Sequence, residues 1–135
     1  MKRTFELPNR ISELGTMLDE LESLLLDEHI PNDVVGEVRL LAEEAVSNII
    51  RYAYGSVQER QIAVTLEYDK TAVKLEFRDD GSPFNPLEAP PPVLDAPIEE
   101  RQNGGLGIHL MKSLVDEASY AREGNTNVLM LTKRF

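Results

Sequence analysis

The hydrophobic pattern of this chain changes period along its length, and that change limits the fold more than any other feature. Ile11, Leu14, Leu18, Leu21 and Leu25 recur at steps of three and four, the stripe of an amphipathic helix over residues 11–29. Asn9 and Ser12 are its candidate caps, and Pro31 ends it by pushing the preceding residue out of helical geometry. A second helix is predicted over residues 33–54, with Val34, Val38, Leu41, Ala45 and Ile49 inward and Gly55-Ser56 closing it. From residue 61 the period is two. Ile62, Val64, Leu66 and Tyr68, then Val73, Leu75 and Phe77 past an Asp69-Lys70 turn, read as an antiparallel hairpin with one wet face. A third helix with Leu106, Leu110, Leu114 and Val115 inward follows later. A second hairpin, residues 118–122 with 127–133 around Glu123-Gly124-Asn125, completes the pattern. Helix, helix, strands, helix, strands predicts an α+β fold: helices layered on one face of a largely antiparallel sheet.

Between the hairpins, residues 79–104 have no period. Five of the eight prolines fall from Pro86 to Pro97, which excludes a ladder strand or long helix there. A nonperiodic stretch of that length in a small domain is a linker or a functional lid. Its flanks, Asp79-Asp80-Gly81 and Gly104-Gly105-Leu106-Gly107, favour the lid.

Length and charge narrow the function. The 135 residues fit one domain, 1–135, with no repeat, and 41% hydrophobic against 28% charged residues argues against wholesale disorder. Having no cysteine excludes thiol catalysis, cysteine metal sites and disulfides, and fits a reducing compartment. The net charge of −10 opposes binding to nucleic acid or anionic lipid without forbidding a small anion held by aimed amides. No apolar run approaches the ~20 residues of a membrane span, and the basic start lacks the apolar stretch of a secretory signal. The expected location is the cytoplasm.

Three groups of residues suggest chemistry, each with a plainer reading beside it. Gly104, Gly105 and Gly107 precede a helix, where backbone amides and the helix dipole suit phosphate; alternatively they only turn the chain. No complete G-x-x-x-x-G-K-[ST] or G-x-G-x-x-G motif is present. Glu44 and Asn48 project one helical turn apart on one face, a carboxylate for base work and an amide oxygen for a hard cation, or else a solvated face. Asp79-Asp80-Gly81 follows a strand, as a turn would.

Taken in order, E-x-x-x-N on a helix, D-x-G after a strand, a lid, and G-x-G opening a helix resemble the Bergerat-fold ATPases shared by gyrase, histidine kinases and the mismatch-repair protein MutL. Within these GHKL (histidine-kinase-like) proteins the chain is most similar to the small anti-sigma factor serine kinases. The boxes are Glu44-Ala45-Val46-Ser47-Asn48-Ile49-Ile50-Arg51-Tyr52-Ala53-Tyr54, Asp79-Asp80-Gly81-Ser82-Pro83-Phe84-Asn85-Pro86 and Gly104-Gly105-Leu106-Gly107-Ile108-His109-Leu110-Met111. The resemblance covers nearly the whole chain. It implies a two-layer α/β sandwich with a mainly antiparallel mixed sheet, and ATP bound beneath a lid at about residues 85–104. Asp79 would accept a hydrogen bond from the adenine amine, and Gly81 would let the backbone pass close to the base. Asn48 would coordinate Mg²⁺. The backbone of Gly104, Gly105, Leu106 and Gly107 would hold the phosphates. Glu44 would act as general base on a partner's serine hydroxyl, and Asn127, or its neighbour Thr126, would lie near the adenine. Tyr52 departs from the histidine many members carry, and His109 is expected to be a surface or packing residue.

The implied function is an ATP-dependent protein-serine kinase and anti-sigma factor. It would phosphorylate a STAS-type anti-anti-sigma antagonist and sequester a sigma factor, as a homodimer. The alternative is a noncatalytic ATP-gated binding module of a partner-switching system. A detached histidine-kinase catalytic domain fits less well.

Overall fold

The structure, a computed structural model, describes residues 1–54, 59–88 and 105–135, with backbone alone for 105–107. Gly55-Ser56, Gly104 and all but the first few residues of the expected lid lie outside the described residues. Strand β1 (Lys2–Pro8) is followed by a 3-10 turn (Ile11–Glu13) and helices α1 (Leu14–Asp27) and α2 (Asn32–Asn48). A π-helical turn (Ile49–Tyr54) then precedes strands β2 (Gln61–Tyr68) and β3 (Ala72–Asp79). Helix α3 (Gly105–Leu114) and strands β4 (Glu117–Glu123) and β5 (Thr126–Arg134) complete the order. The five strands form one sheet, β1-β2-β3-β5-β4, antiparallel at every pairing.

Alternation along the strands builds the core. Phe5, Val64, Phe77, Leu129 and Tyr120 are register partners in one row across all five strands. This row packs into a single apolar cluster with Leu14, Leu18, Leu21 and Leu25 of α1 and Val34, Val38, Leu41 and Ala45 of α2. The opposite face carries Lys2, Thr4, Glu6, Glu67, Lys74 and Glu76, as a one-sided sheet requires. Asp79 lies two residues beyond Phe77, and Asn127 two before Leu129, so both turn toward the helices at the end of the apolar rows.

Local details differ from the sequence pattern. Strand β1 was not anticipated, because its inward positions supply only Phe5 and Leu7 among charged neighbours. Neither Asn9 nor Ser12 caps α1, which starts without a side-chain cap bond; Asn9 Oδ1 instead accepts from the Arg60 N–H at 2.9 Å. Ile11 is exposed, lying in the 3-10 turn before the helix. The stop of α1 is set by His29 at φ 61°: its N–H donates to the Leu26 carbonyl and that of Ile30 to the Leu25 carbonyl. The second helix changes to π geometry after Asn48. Among the described side chains of α3 the buried ones are Ile108 and Met111, whereas Leu110 is 40% exposed and Leu114, with Val115 just beyond, is half-buried. Met111 joins the core and Leu114 and Val115 pack against it in part, while the Leu106 side chain lies outside the described residues. Among the described residues no helix is long and apolar enough to cross a membrane.

Candidate functional site

The C-terminal end of α2 carries the first two candidates. Asn48 is 1% exposed, and neither its Oδ1 nor its Nδ2 has a hydrogen-bond partner among the described residues. Leaving a buried amide unsatisfied costs about 1–3 kcal/mol, so the position is explained by what it can bind rather than by what it stabilises. Glu44, one turn earlier, is half-buried. Burial pushes its carboxyl above the ordinary value, the neighbouring Glu43 adds to this, and Arg51 partly offsets it. A carboxyl raised in this way is a stronger base than an exposed one.

The π-helical turn that follows joins this helix to the end of β3. Such turns are rare in helices and concentrate at functional sites. Here the turn ends in Ala53 and Tyr54, which grip residues 80–82. The Ser82 N–H donates to the Ala53 carbonyl at 2.8 Å. Tyr54 Oη donates to Asp80 Oδ1 at 2.8 Å and accepts from the Asp80 N–H at 3.0 Å. Burial and this carboxylate raise the Tyr54 hydroxyl well above the ordinary phenol range, so it stays protonated. A Cβ at Gly81 would lie 2.7 Å from the Ala53 oxygen, a distance that side chains essentially never show, so only glycine permits the approach.

Asp79 sits inside this turn, 4% exposed, while Asp80 is partly exposed at the surface with Arg60 3.9 Å away. Asp79 Oδ1 accepts from the Gly81 N–H at 3.0 Å and from Asn127 Nδ2 at 2.9 Å. Both bonds fall on one oxygen, and among the described residues none falls on Oδ2. Burial raises the Asp79 carboxyl, against the lowering effects of Asn127, the Gly81 amide and the Arg122 charge. Asn127, itself 4% exposed, is oriented without ambiguity. Its Oδ1 must face the Phe84 N–H and its Nδ2 the Ser82 carbonyl, with the Tyr120 hydroxyl also donating to Oδ1. Tyr52 stacks on Phe84 with ring centroids 5.2 Å apart.

The third group opens α3, which packs on α2 and puts Met111 into the core. Gly105, Leu106 and Gly107 form its first turn, whose N–H groups have no carbonyl within the helix to bond. The other end of α3 is held by Lys133, whose Nζ donates to the Leu114 carbonyl at 3.0 Å and pairs with Glu37 of α2 at 2.7 Å. His109 is exposed. Asp79, Gly81 and Asn127 are thus joined by direct hydrogen bonds. Glu44 and Asn48 reach this group through the π-helical turn, and α3 lies against the same helix.

Sequence reasoning missed Tyr54, Tyr120, Arg122 and Lys133. Tyr54 closes the first box without a role assigned to it, and Tyr120 and Arg122 left a signal in the period-two spacing of the inward row of β4. Among the described residues no cluster of three His, Asp or Glu side chains could hold a metal. The donor set fits a cation that takes one amide oxygen, from Asn48, and completes its octahedron with phosphate oxygens and water, the habit of Mg²⁺. Oδ2 of Asp79, which accepts no hydrogen bond among the described residues, fits a base bearing an amine.

The chain is 33% identical over 93 residues to the serine/threonine-protein kinase BtrW of Bordetella bronchiseptica, an alignment covering 69% of this chain and 66% of that protein. It is 28% identical over 106 residues to the serine-protein kinase RsbW of Staphylococcus epidermidis, covering 73% and 65%. It is 29% identical over 99 residues to the anti-sigma F factor of Bacillus thuringiensis, covering 72% and 67%. The matched stretch therefore spans about two thirds of each relative's length. A crystal structure of the RsbU and RsbW domains of a Mycobacterium tuberculosis protein superposes with a TM-score of 0.71 at 16% identity. It covers 99% of this chain and 32% of that one, a likeness of fold. The histidine kinase-like ATPase domain matches residues 7–133, and the chain belongs to that family.

Proposed function

We propose that this protein is an ATP-dependent protein-serine kinase and anti-sigma factor. The observation that carries the reading is the pairing on one helix of a half-buried Glu44, whose carboxyl burial raises, with a buried Asn48 that has no partner among the described residues. A pure binding module needs the amide but has no use for the carboxylate. The names of the relatives, two kinases and an anti-sigma factor, support the same conclusion.

In this reading Asp79 accepts from the adenine amine through Oδ2, and Gly81 lets the base lie against the backbone. Asn48 supplies an oxygen to Mg²⁺, and the amides opening α3, with Gly104 before them, hold the phosphates. Bound magnesium supplies neutralisation of phosphate charge. Glu44 orients a partner's serine hydroxyl toward the terminal phosphate and takes its proton, the small share of the chemistry that phosphoryl transfer leaves to side chains. Asn127 acts on the base through Asp79, and residues 85–104 form the lid. The substrate is a STAS-type anti-anti-sigma antagonist, the sequestered partner a sigma factor, and the working form a cytoplasmic homodimer with domain 1–135 as its unit.

The test is incubation with ATP, Mg²⁺ and the cognate antagonist. Acid-stable phosphoserine on the antagonist is the expected product. Nucleotide binding with no phosphoserine, and partner control that persists regardless, would establish the noncatalytic ATP-gated module instead.

A further inference from the structure

β4 is an edge strand with nearly every residue exposed, so it adds little to the core. Its inward row nevertheless reaches the turn that holds Asp79. Arg122 is the register partner of Asn127, which is in turn the partner of Asp79, so the three occupy one row across β4, β5 and β3. Arg122 Nη1 donates to the Gly81 carbonyl at 2.7 Å, and its Nε donates to the Gly124 carbonyl of its own hairpin at 3.2 Å. The guanidinium is thereby anchored on one side and grips the turn on the other. Gly81 has no side chain to hold it: its N–H is taken by Asp79 and its carbonyl by Arg122.

We propose that Arg122 is a positioning residue for base recognition, clamping the Gly81 carbonyl so that the turn presents Asp79 to an amine-bearing base. The inference rests on the nucleotide reading above and adds to it a residue that touches neither base nor phosphate. Two arms of one hairpin hold alternate points of the turn. Asn127 takes Asp79 Oδ1 and the Ser82 carbonyl, and Arg122 takes the Gly81 carbonyl between them. The guanidinium also brings a positive charge toward the Asp79 carboxylate, which opposes the raising effect of burial alongside the Asn127 and Gly81 hydrogen bonds. Removing it loosens the backbone that carries Asp79.

The selective readout is preference for ATP over inosine triphosphate, whose base carries a carbonyl where adenine carries the amine. Calorimetry with Mg²⁺ on the whole protein measures both affinities. In Arg122→Met the preference is expected to fall about tenfold, the value of one charge-assisted hydrogen bond. Affinity for inosine triphosphate stays near wild type. Arg122→Lys, which keeps a cationic donor for the carbonyl, retains most of the preference. Arg134→Met removes the same charge from an exposed pair with Glu117 and leaves the preference intact. An unchanged preference in Arg122→Met, or an equal fall in Arg134→Met, overturns the proposal. Wild-type protein that binds neither nucleotide overturns the nucleotide reading itself, so the two failures are distinguishable.

Discussion

Asp79 and Asn127 face each other as register partners of β3 and β5, and Asn127 Nδ2 donates to Asp79 Oδ1 at 2.9 Å. The same oxygen takes the Gly81 amide, which concentrates the internal bonds of the carboxylate on one side. A carboxylate held in this way is pre-oriented: ligand binding need not pay for fixing it.

That burial has a pH signature. The folded Asp79 carboxyl is raised above its ordinary value, chiefly by burial, so the folded state holds the proton more tightly than the unfolded chain. The stability this provides is present at low pH and is lost as pH rises through the raised value. Asp79→Asn does not titrate. The nucleotide-free variant is therefore expected to melt higher than wild type near neutrality, with the gap narrowing toward about pH 4, and to lose ATP binding. A gap that widens on acidification would contradict the assignment.

Asn48→Leu separates function from stability. The replacement is close in volume and removes two buried polar atoms that have no partner among the described residues. The nucleotide-free protein should gain about 1–2 kcal/mol, several degrees in melting temperature for a chain of this size, while uptake of Mg-ATP is lost. A lower melting temperature would show that the amide is satisfied internally.

Glu44→Gln keeps the shape and removes the base. Phosphoserine formation is expected to fall by about 10²–10⁴, with ATP affinity within about twofold of wild type. Because burial raises the Glu44 carboxyl, the acid limb of the wild-type rate profile should lie above the ordinary carboxylate range and be missing from the variant. Transfer at wild-type rates would remove Glu44 from the chemistry.

His29 carries a cost unrelated to the site. It ends α1 at φ 61°, a conformation that glycine adopts without strain. His29→Gly should stabilise the fold by about 0.5–1 kcal/mol, visible in chemical denaturation, with nucleotide affinity unchanged. Destabilisation would mean that the imidazole makes a contact outweighing the backbone strain.

Much of this architecture was legible in the residues. The spacing of Leu14, Leu18, Leu21 and Leu25, and the alternation from Ile62 to Phe77, gave the helices and hairpins because each pattern repeats within one element. Strand β1 was not legible, since two inward residues, Phe5 and Leu7, are too few to establish a period. On α3 Leu110 looks like core yet is exposed, whereas Leu114 and Val115 do pack against the core and Met111, which the leucine spacing does not single out, is buried in it. The three motifs gave Glu44, Asn48 and Asp79 as candidates, but Tyr54 stands in the first box with no role of its own, and Tyr120 and Arg122 lie outside all three boxes.

Local order fixed what the chain alone could determine: which segments coil, which extend, and which polar residues interrupt apolar runs. What only tertiary structure decided is which of those polar residues meet. Asp79 gains Asn127 from 48 positions away and Gly81 gains Arg122 from 41. Such contacts depend on strand order and on the rotation of each element about its axis. Both are set by how the whole apolar surface is buried at once, a condition no single stretch of sequence contains.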